Sequence, residues 1–251
     1  MAETLSGRVT IVTGASGGIG EGIATAFARD GAHVVLAARR RDELERVASA
    51  IKGTGGTALV VPADMRVEAD VVALVAAAKQ HFGRVDVLVN NAGITAHTPT
   101  DEMSLDYWNN VLAVNLTSAF LASREAIKVM KAQQPQGGRI ITIGSISQKT
   151  PRPESLGYTA TKHALHGLTH QITMDGRAYG VVASIIHPGS TLSGFTGVGA
   201  VAGPGTTPDR YIMSPDDVAR VAILMATLPP EVNLFEATIL PNQMRSFINR
   251  G

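Results

Sequence analysis

Seven short runs of mostly β-branched and aliphatic residues recur along the chain: RVTIVT (8–13), HVVLA (33–37), TALVV (57–61), VDVLV (85–89), RIITI (139–143), VVASII (181–186) and FEATIL (235–240). Each is short, and most are too continuously apolar for a strand with one wet face, so each reads as a buried strand. Between them lie helix-length segments with apolar residues at helical intervals, namely Glu21 to Asp30, Asp42 to Lys52, Glu68 to Phe82, Asp106 to Lys131 and Thr159 to Tyr179. Strand and helix in alternation favour a parallel sheet covered on both faces, because each crossover helix must pack back onto the sheet. A chain of 251 residues can bury such a sheet as one unit, hiding about 75% of the surface that its unfolded form exposes, and 1–251 is expected to be a single domain.

Composition narrows the function classes. With 22 Lys and Arg against 21 Asp and Glu there is no strong field to gather a polyanion, so nucleic acid is not expected as a partner. The longest apolar run, Val71 to Ala78, falls well short of the about 20 residues of a membrane span. The start, MAETLSGRVT, lacks a basic stretch followed by an apolar one, and the chain has no cysteine, so a cytoplasmic location is expected. One long irregular stretch, Pro188 to Met213, is rich in Gly, Pro, Ser and Thr and reads as a functional loop over a substrate.

The first strand runs directly into TGASGGIG, Thr13 to Gly20, and then into a helix. Backbone amides at a helix start attract anions, and glycines let a phosphate approach them. Gly14, Ser16, Gly18, Ile19 and Gly20 are the candidate contacts, although the spacing is not the common G-x-G-x-x-G, and a plain strand-to-helix turn would also use glycines. The second strand ends in Ala37 and Ala38 where an NAD site usually carries an acid, and Arg39, Arg40 and Arg41 follow. A guanidinium fork suits a 2′-phosphate, which points to NADP(H) over NAD(H); a solvated loop is the other reading of the same arginines. Asp64, after the third strand, is either an acceptor for an adenine amino group or a turn residue before the helix at Glu68.

TGASGGIG, NNAG at 90–93, Ser145 and YTATK at 158–162 occur in order and at strand ends or helix starts, and with them the chain closely resembles the short-chain dehydrogenase/reductase family over about residues 7 to 190. The resemblance implies a Rossmann-type, doubly wound parallel sheet of seven strands with helices on both faces, a nicotinamide dinucleotide at the C-terminal strand edge, and hydride exchange with a small carbonyl or alcohol substrate. It implies that Tyr158 is the general acid and base, Lys162 its neighbouring ammonium, Ser145 the donor to the substrate oxygen and Asn115 the holder of a relay water. Asn90, Ala92 and Gly93 match the segment that supports the central sheet and lines a cofactor ribose. Pro188 and Gly189 match the turn beside the nicotinamide, with Thr191 or Ser193 at its carboxamide. Relatives commonly pair through the Tyr158 helix and the long helix before it, so a homodimer or homotetramer is implied. A non-enzymatic NADP-binding regulator or scaffold is the alternative that the same fold allows.

On a helical wheel Tyr158 and Lys162 lie about 40° apart, within one turn. A phenol with a pKa near 10 is only about 0.1% ionised at pH 7, and one brought down to about 8 by a nearby ammonium would be roughly 10% ionised. His163, His166 and His170 fall at about 140°, 80° and 120°, on one side. A metal there is not expected, since ligands usually come from more than one element with acids bracing them. Ala164, Leu165, Leu168 and Ile172 are expected to face the sheet, leaving the histidines to solvent or a subunit interface. For His97 and His187 a substrate contact and an ordinary strand-end role stand equal.

Two positions depart from the family pattern. Gly144 precedes Ser145 where a polar residue is frequent, and the C-terminus reads ATILPNQMRSFINRG where an Asp-Gly-Gly turn is common. The substrate pocket is expected to form from 95–101, 147–154 and 188–213.

Overall fold

The computed structural model describes residues 5–192, 212–242 and 244. Its strands are β1 (Val9–Thr13), β2 (His33–Ala38), β3 (Thr57–Pro62), β4 (Val87–Asn90), β5 (Gly138–Ile143), β6 (Val181–Pro188) and β7 (Glu236–Ile239). They form one sheet in the order β3-β2-β1-β4-β5-β6-β7, every pair parallel. All seven expected strands are therefore present, each within a few residues of its expected bounds.

The helices are α1 (Gly18–Arg29), α2 (Arg41–Gly53), α3 (Glu68–Phe82), α4 (Leu105–Leu112), α5 (Ser118–Ala132), α6 (Leu156–Gly176) and α7 (Pro215–Thr227). Because side chains alternate across a strand, β1 feeds both faces of the sheet. Val12 packs with Ile23, Phe27, Leu44, Val218 and Met225 under α1, α2 and α7. Val9 and Ile11 pack with Leu74, Leu121, Met130 and Ile172 under α3, α5 and α6. Phe27, Ile11, Leu44, Leu74 and Met130 are fully buried, and a side chain of this kind contributes roughly 1.5–3 kcal/mol relative to exposure.

Two features differ from the sequence reading. The expected helix from Asp106 to Lys131 is two helices joined by a π-turn at Ala113–Thr117, where Ser118 donates to the Ala113 carbonyl. Helix α7 was not expected, yet its start is built from local signals. Ser214 accepts from Asp216, Asp217 bonds back to the Ser214 amide in a capping box, and Pro215 occupies the first turn.

The chain winds from β1 outward to β3, then returns to β4 on the other side of β1. The connections after β1 and β4 therefore diverge, and a crevice opens at the C-terminal ends of these strands. Most of the expected 188–213 loop, Ser193 included, lies outside the described residues. No described helix is long and apolar enough to cross a membrane.

Candidate active site

A cleft of about 620 Å³ lies at this crevice. It runs from the turn after β1 and the arginines after β2, past the end of β4, to Ser145, Tyr158 and the end of β6. Gly14, Ser16, Gly18, Ile19, Arg39, Arg40, Asp64, Ala92, Gly93, Ser145, Tyr158, Lys162, Pro188, Gly189 and Thr191 all line it. Gly20, Asn90, Asn115 and Arg41 do not.

The glycine turn is shaped to admit a phosphate. Helix α1 starts after Gly17, which carries no capping side chain, so the first-turn amides open onto the cleft. Gly20 acts from behind. A Cβ there would collide with the Gly14 carbonyl and stand 2.5 Å from Asn91 Nδ2, so only glycine lets α1 settle onto the turn. Asn91 itself braces that turn by donating to the Thr13 and Gly14 carbonyls at 3.0 and 3.2 Å. It lines the cleft, a role that NNAG alone does not distinguish from those of its neighbours Asn90 and Ala92.

Of the three arginines, Arg39 and Arg40 face the cleft, and Arg40 donates to Ser16 Oγ at 3.3 Å. Arg41 pairs instead with Glu45 on the exposed side of α2 at 3.6 Å. Asp64 lines the cleft and also serves its turn, accepting from the Arg66 amide at 3.0 Å and from the Arg66 guanidinium at 2.6 Å. The guanidinium holds the Asp64 carboxyl below the usual range. Arg66, a further cleft residue absent from the sequence reading, continues to Asn110 Oδ1 at 3.0 Å.

At the other end, the π-turn carries Asn115 into the interior. Asn115 Oδ1 accepts from the Ile94 amide at 2.7 Å, and its Nδ2 donates to the Ile94 carbonyl at 2.9 Å and to Thr161 Oγ1 at 3.2 Å. Thr161 Oγ1 in turn donates to the Tyr158 carbonyl at 2.8 Å. Both polar ends of the amide are thus engaged, tying the segment after β4 to the first turn of α6. A relay water at this residue would have to use its main chain. Asn90 is buried and donates to Ser123 Oγ at 2.9 Å, on the far side from the cleft.

Tyr158 and Lys162 share one face of α6, as the wheel predicts, but their electrostatics differ from expectation. Lys162 Nζ donates to the Ile143 carbonyl at 2.8 Å and lies 5.4 Å from the Tyr158 ring centroid. Burial drives its pKa down to about 8. Burial also raises the phenol's pKa, against the opposing pull of its hydrogen bond with Ser145 and the charge of Arg152. Burial therefore opposes the expected acidification, and a phenol whose ordinary pKa already leaves it protonated at neutral pH is pushed further that way. Ser145 Oγ accepts from the Ser147 amide at 3.1 Å.

His97, Ser147, Arg152 and Ser155 complete the wall beside Tyr158. Of the histidines of α6, His166 and His170 meet, with 4.8 Å between ring centroids, and His163 does not join them. His163 bonds to the Thr159 carbonyl at 3.0 Å, while His166 is half-buried and meets Glu236 of β7 at 3.1 Å. His170 stacks edge-on against Phe235 at 4.3 Å between ring centroids. Among the described residues no group of three or more metal-ligating side chains is arranged to hold an ion. Ala164, expected against the sheet, is exposed; the buried face of α6 runs instead through Thr161, Leu165, Thr169 and Ile172.

A family model described as short chain dehydrogenase matches residues 8–198. An uncharacterized oxidoreductase of Staphylococcus aureus (strain MRSA252) is 33% identical over 237 residues, covering 94% of this chain and 98% of that one. A metagenomic short-chain oxidoreductase solved in complex with NADP is similar in structure, with a TM-score of 0.82 and 33% identity over 95% of this chain and 99% of that one. A 7α-hydroxysteroid dehydrogenase complexed with NADH and 7-oxo glycochenodeoxycholic acid gives a TM-score of 0.86 at 29% identity, over 95% and 94% of the two chains.

Proposed function

The chain belongs to the short-chain dehydrogenase family and is an oxidoreductase of it, and from that membership we propose that it is an NADP(H)-dependent reductase of small carbonyl compounds, reversible toward the alcohol. The observation that carries this reading is the meeting of Ser145, Tyr158 and Lys162 at one end of a cleft whose other end presents an uncapped helix start and two arginines. The uncapped turn at Gly17 suits a dinucleotide pyrophosphate, and Arg39 and Arg40 suit a 2′-phosphate. Two similar structures hold different cofactors, NADP in one and NADH in the other, so the preference rests on these arginines.

When bound, the nicotinamide supplies or accepts the hydride. The protein's own residues handle the oxygen and the proton. Ser145 Oγ accepts from Ser147 and shares a hydrogen bond with the Tyr158 hydroxyl, so both hydroxyls converge where a substrate oxygen would enter and exchange that bond for one to the substrate. The Tyr158 hydroxyl, protonated at neutral pH like any phenol and kept so by burial, is suited to give its proton to the oxygen as that atom gains negative charge. The phenolate left behind is favoured by the Arg152 and Lys162 charges and regains its proton from solvent. A protonated phenol is the form that carbonyl reduction uses, and the phenolate the form that alcohol oxidation uses. Asn115 acts from behind, holding the Tyr158 turn through Thr161.

The test is to follow NADPH oxidation against a panel of ketones and aldehydes, then NADP reduction with the matching alcohols. Turnover on some member, with NADPH preferred over NADH, supports the reading. Tight NADPH binding without turnover on any member would favour a non-catalytic NADP-binding protein instead.

A further inference from the structure

His187 is 1% exposed at the end of β6, immediately before Pro188 and Gly189, which line the cleft, and the proton chemistry above makes no use of it. Its ring lies against Gly144. A Cβ on residue 144 would collide with Nδ1 and stand 2.7 Å from Cε1, so the glycine that departs from the family pattern is the space that this imidazole occupies. Both ring nitrogens are engaged by the single turn that carries the serine. The Ser145 amide donates to Nδ1 at 3.3 Å, and the Gln148 side-chain amide, placed with its nitrogen toward the ring and 3.4 Å from Glu236 Oε1, lies 2.8 Å from the ring Nε2. The turn from 145 to 148 is therefore wrapped around the ring.

The tautomer follows. A main-chain N–H can only donate, so Nδ1 must be the acceptor and Nε2 must carry the proton. Nε2–H then faces Glu236 Oε1 at 3.5 Å, and it requires the Gln148 amide to be turned over from its placed orientation so that the oxygen meets the ring. Glu236 is itself held by Lys149 at 3.0 Å and by His166 at 3.1 Å. A carboxylate behind an imidazole fixes which nitrogen is protonated. Burial keeps the ring neutral, which the Ser145 bond requires.

We propose that His187 is a positioning residue for Ser145, locked by Glu236 and Gln148 in the Nε2–H tautomer so that Nδ1 holds the serine's amide and sets where its hydroxyl meets the substrate oxygen. This rests on the catalytic reading of Ser145. A serine displaced by a fraction of an ångström still leaves the cofactor's seat untouched, so the loss falls on kcat and not on cofactor binding.

Three variants and one spectrum test it. Asparagine places Oδ1 where Nδ1 stood, and leucine offers no acceptor. His187→Leu should lower kcat by about tenfold or more, with KM and the NADPH Kd within about threefold, and His187→Asn should recover kcat to within about fivefold of the parent. His187→Gln, whose amide reaches toward Nε2 and not Nδ1, should behave like the leucine variant. Thermal melting confirms that each variant is folded. Full activity in folded His187→Leu, or no recovery in folded His187→Asn, would overturn the proposal. The 15N spectrum of the cofactor-free parent's histidine side chains reads the tautomer without catalysis. Nε2–H is expected, and a proton on Nδ1 would sink the proposal even if the protein reduces ketones well. If the parent turns over no carbonyl while His187 shows Nε2–H, it is the enzymatic reading that has failed.

Discussion

The ammonium of Lys162 donates to the main-chain carbonyl of Ile143 at the end of β5, 2.8 Å away, and so ties α6 to the sheet beneath Tyr158. A buried lysine with this one bond pays a large desolvation penalty when charged, which is why its pKa falls to about 8. It is charged below that value and neutral above it.

The activity should follow this charge. In the reducing direction kcat/KM is expected to fall as pH rises through about 8, and Lys162→Gln should lose both most of the activity and this alkaline limb. Stability moves the opposite way. The folded pKa lies below the value of about 10.4 expected when unfolded, so between the two values the unfolded chain binds more protons and stability rises with pH. Urea unfolding of the parent should show that rise, and Lys162→Gln should flatten it.

Tyr158→Phe keeps the ring and removes the proton. We expect kcat to fall by about 10²–10⁴-fold, the range of general acid catalysis, with NADPH binding within about threefold of the parent. Steady-state rates and fluorescence titration of NADPH separate the two effects, and retention of most turnover would remove Tyr158 from its assigned role.

Arg39→Ala and Arg40→Ala should each weaken NADPH by about tenfold or more, the loss of one charge-assisted contact, while NADH affinity changes by less than about twofold. Arg41→Ala, whose guanidinium pairs with Glu45 on the outer side of α2, should leave both affinities alone. Equal binding of NADPH and NADH by the parent would defeat the arginine argument.

Gly144→Ala puts a methyl group against the His187 ring. Overpacking of this kind destabilises by about 1–3 kcal/mol, so the melting temperature should fall. Because the strain reaches the Ser145 turn, kcat should fall as well, and the double variant Gly144→Ala/His187→Ala, which removes the ring that the new methyl meets, should be more stable than the two single losses added together predict. Melting curves of the parent, the two single variants and the double variant decide it.

The strands were legible because a strand buried on both faces must be mostly apolar, and β1, β4 and β6 carry that signature in their four to eight residues. The long helix before β5 was half legible. Its apolar periodicity continues across Ala113 to Thr117, and nothing local marks the π-turn, which is fixed by Asn115 reaching the Ile94 backbone. Helix α7 carried a readable capping signal at Ser214, Pro215 and Asp217 that the irregular stretch before it obscured. Asn91, Arg66 and Arg152 could not be singled out, since a cleft wall is made by elements that meet only after folding.

What the chain's residues determined by themselves was the layered sheet, the glycine turn and the spacing of Tyr158 and Lys162, because helical and extended periodicities are local properties of the backbone. What tertiary structure alone decided was the environment of those groups. Burial pushes the Tyr158 phenol away from ionisation, against the pull of nearby charges, and the fit of His187 into the space left by Gly144 turned a departure from the family pattern into part of the site. Desolvation and contact between distant segments depend on where the whole chain excludes water, and no short stretch of sequence contains that information.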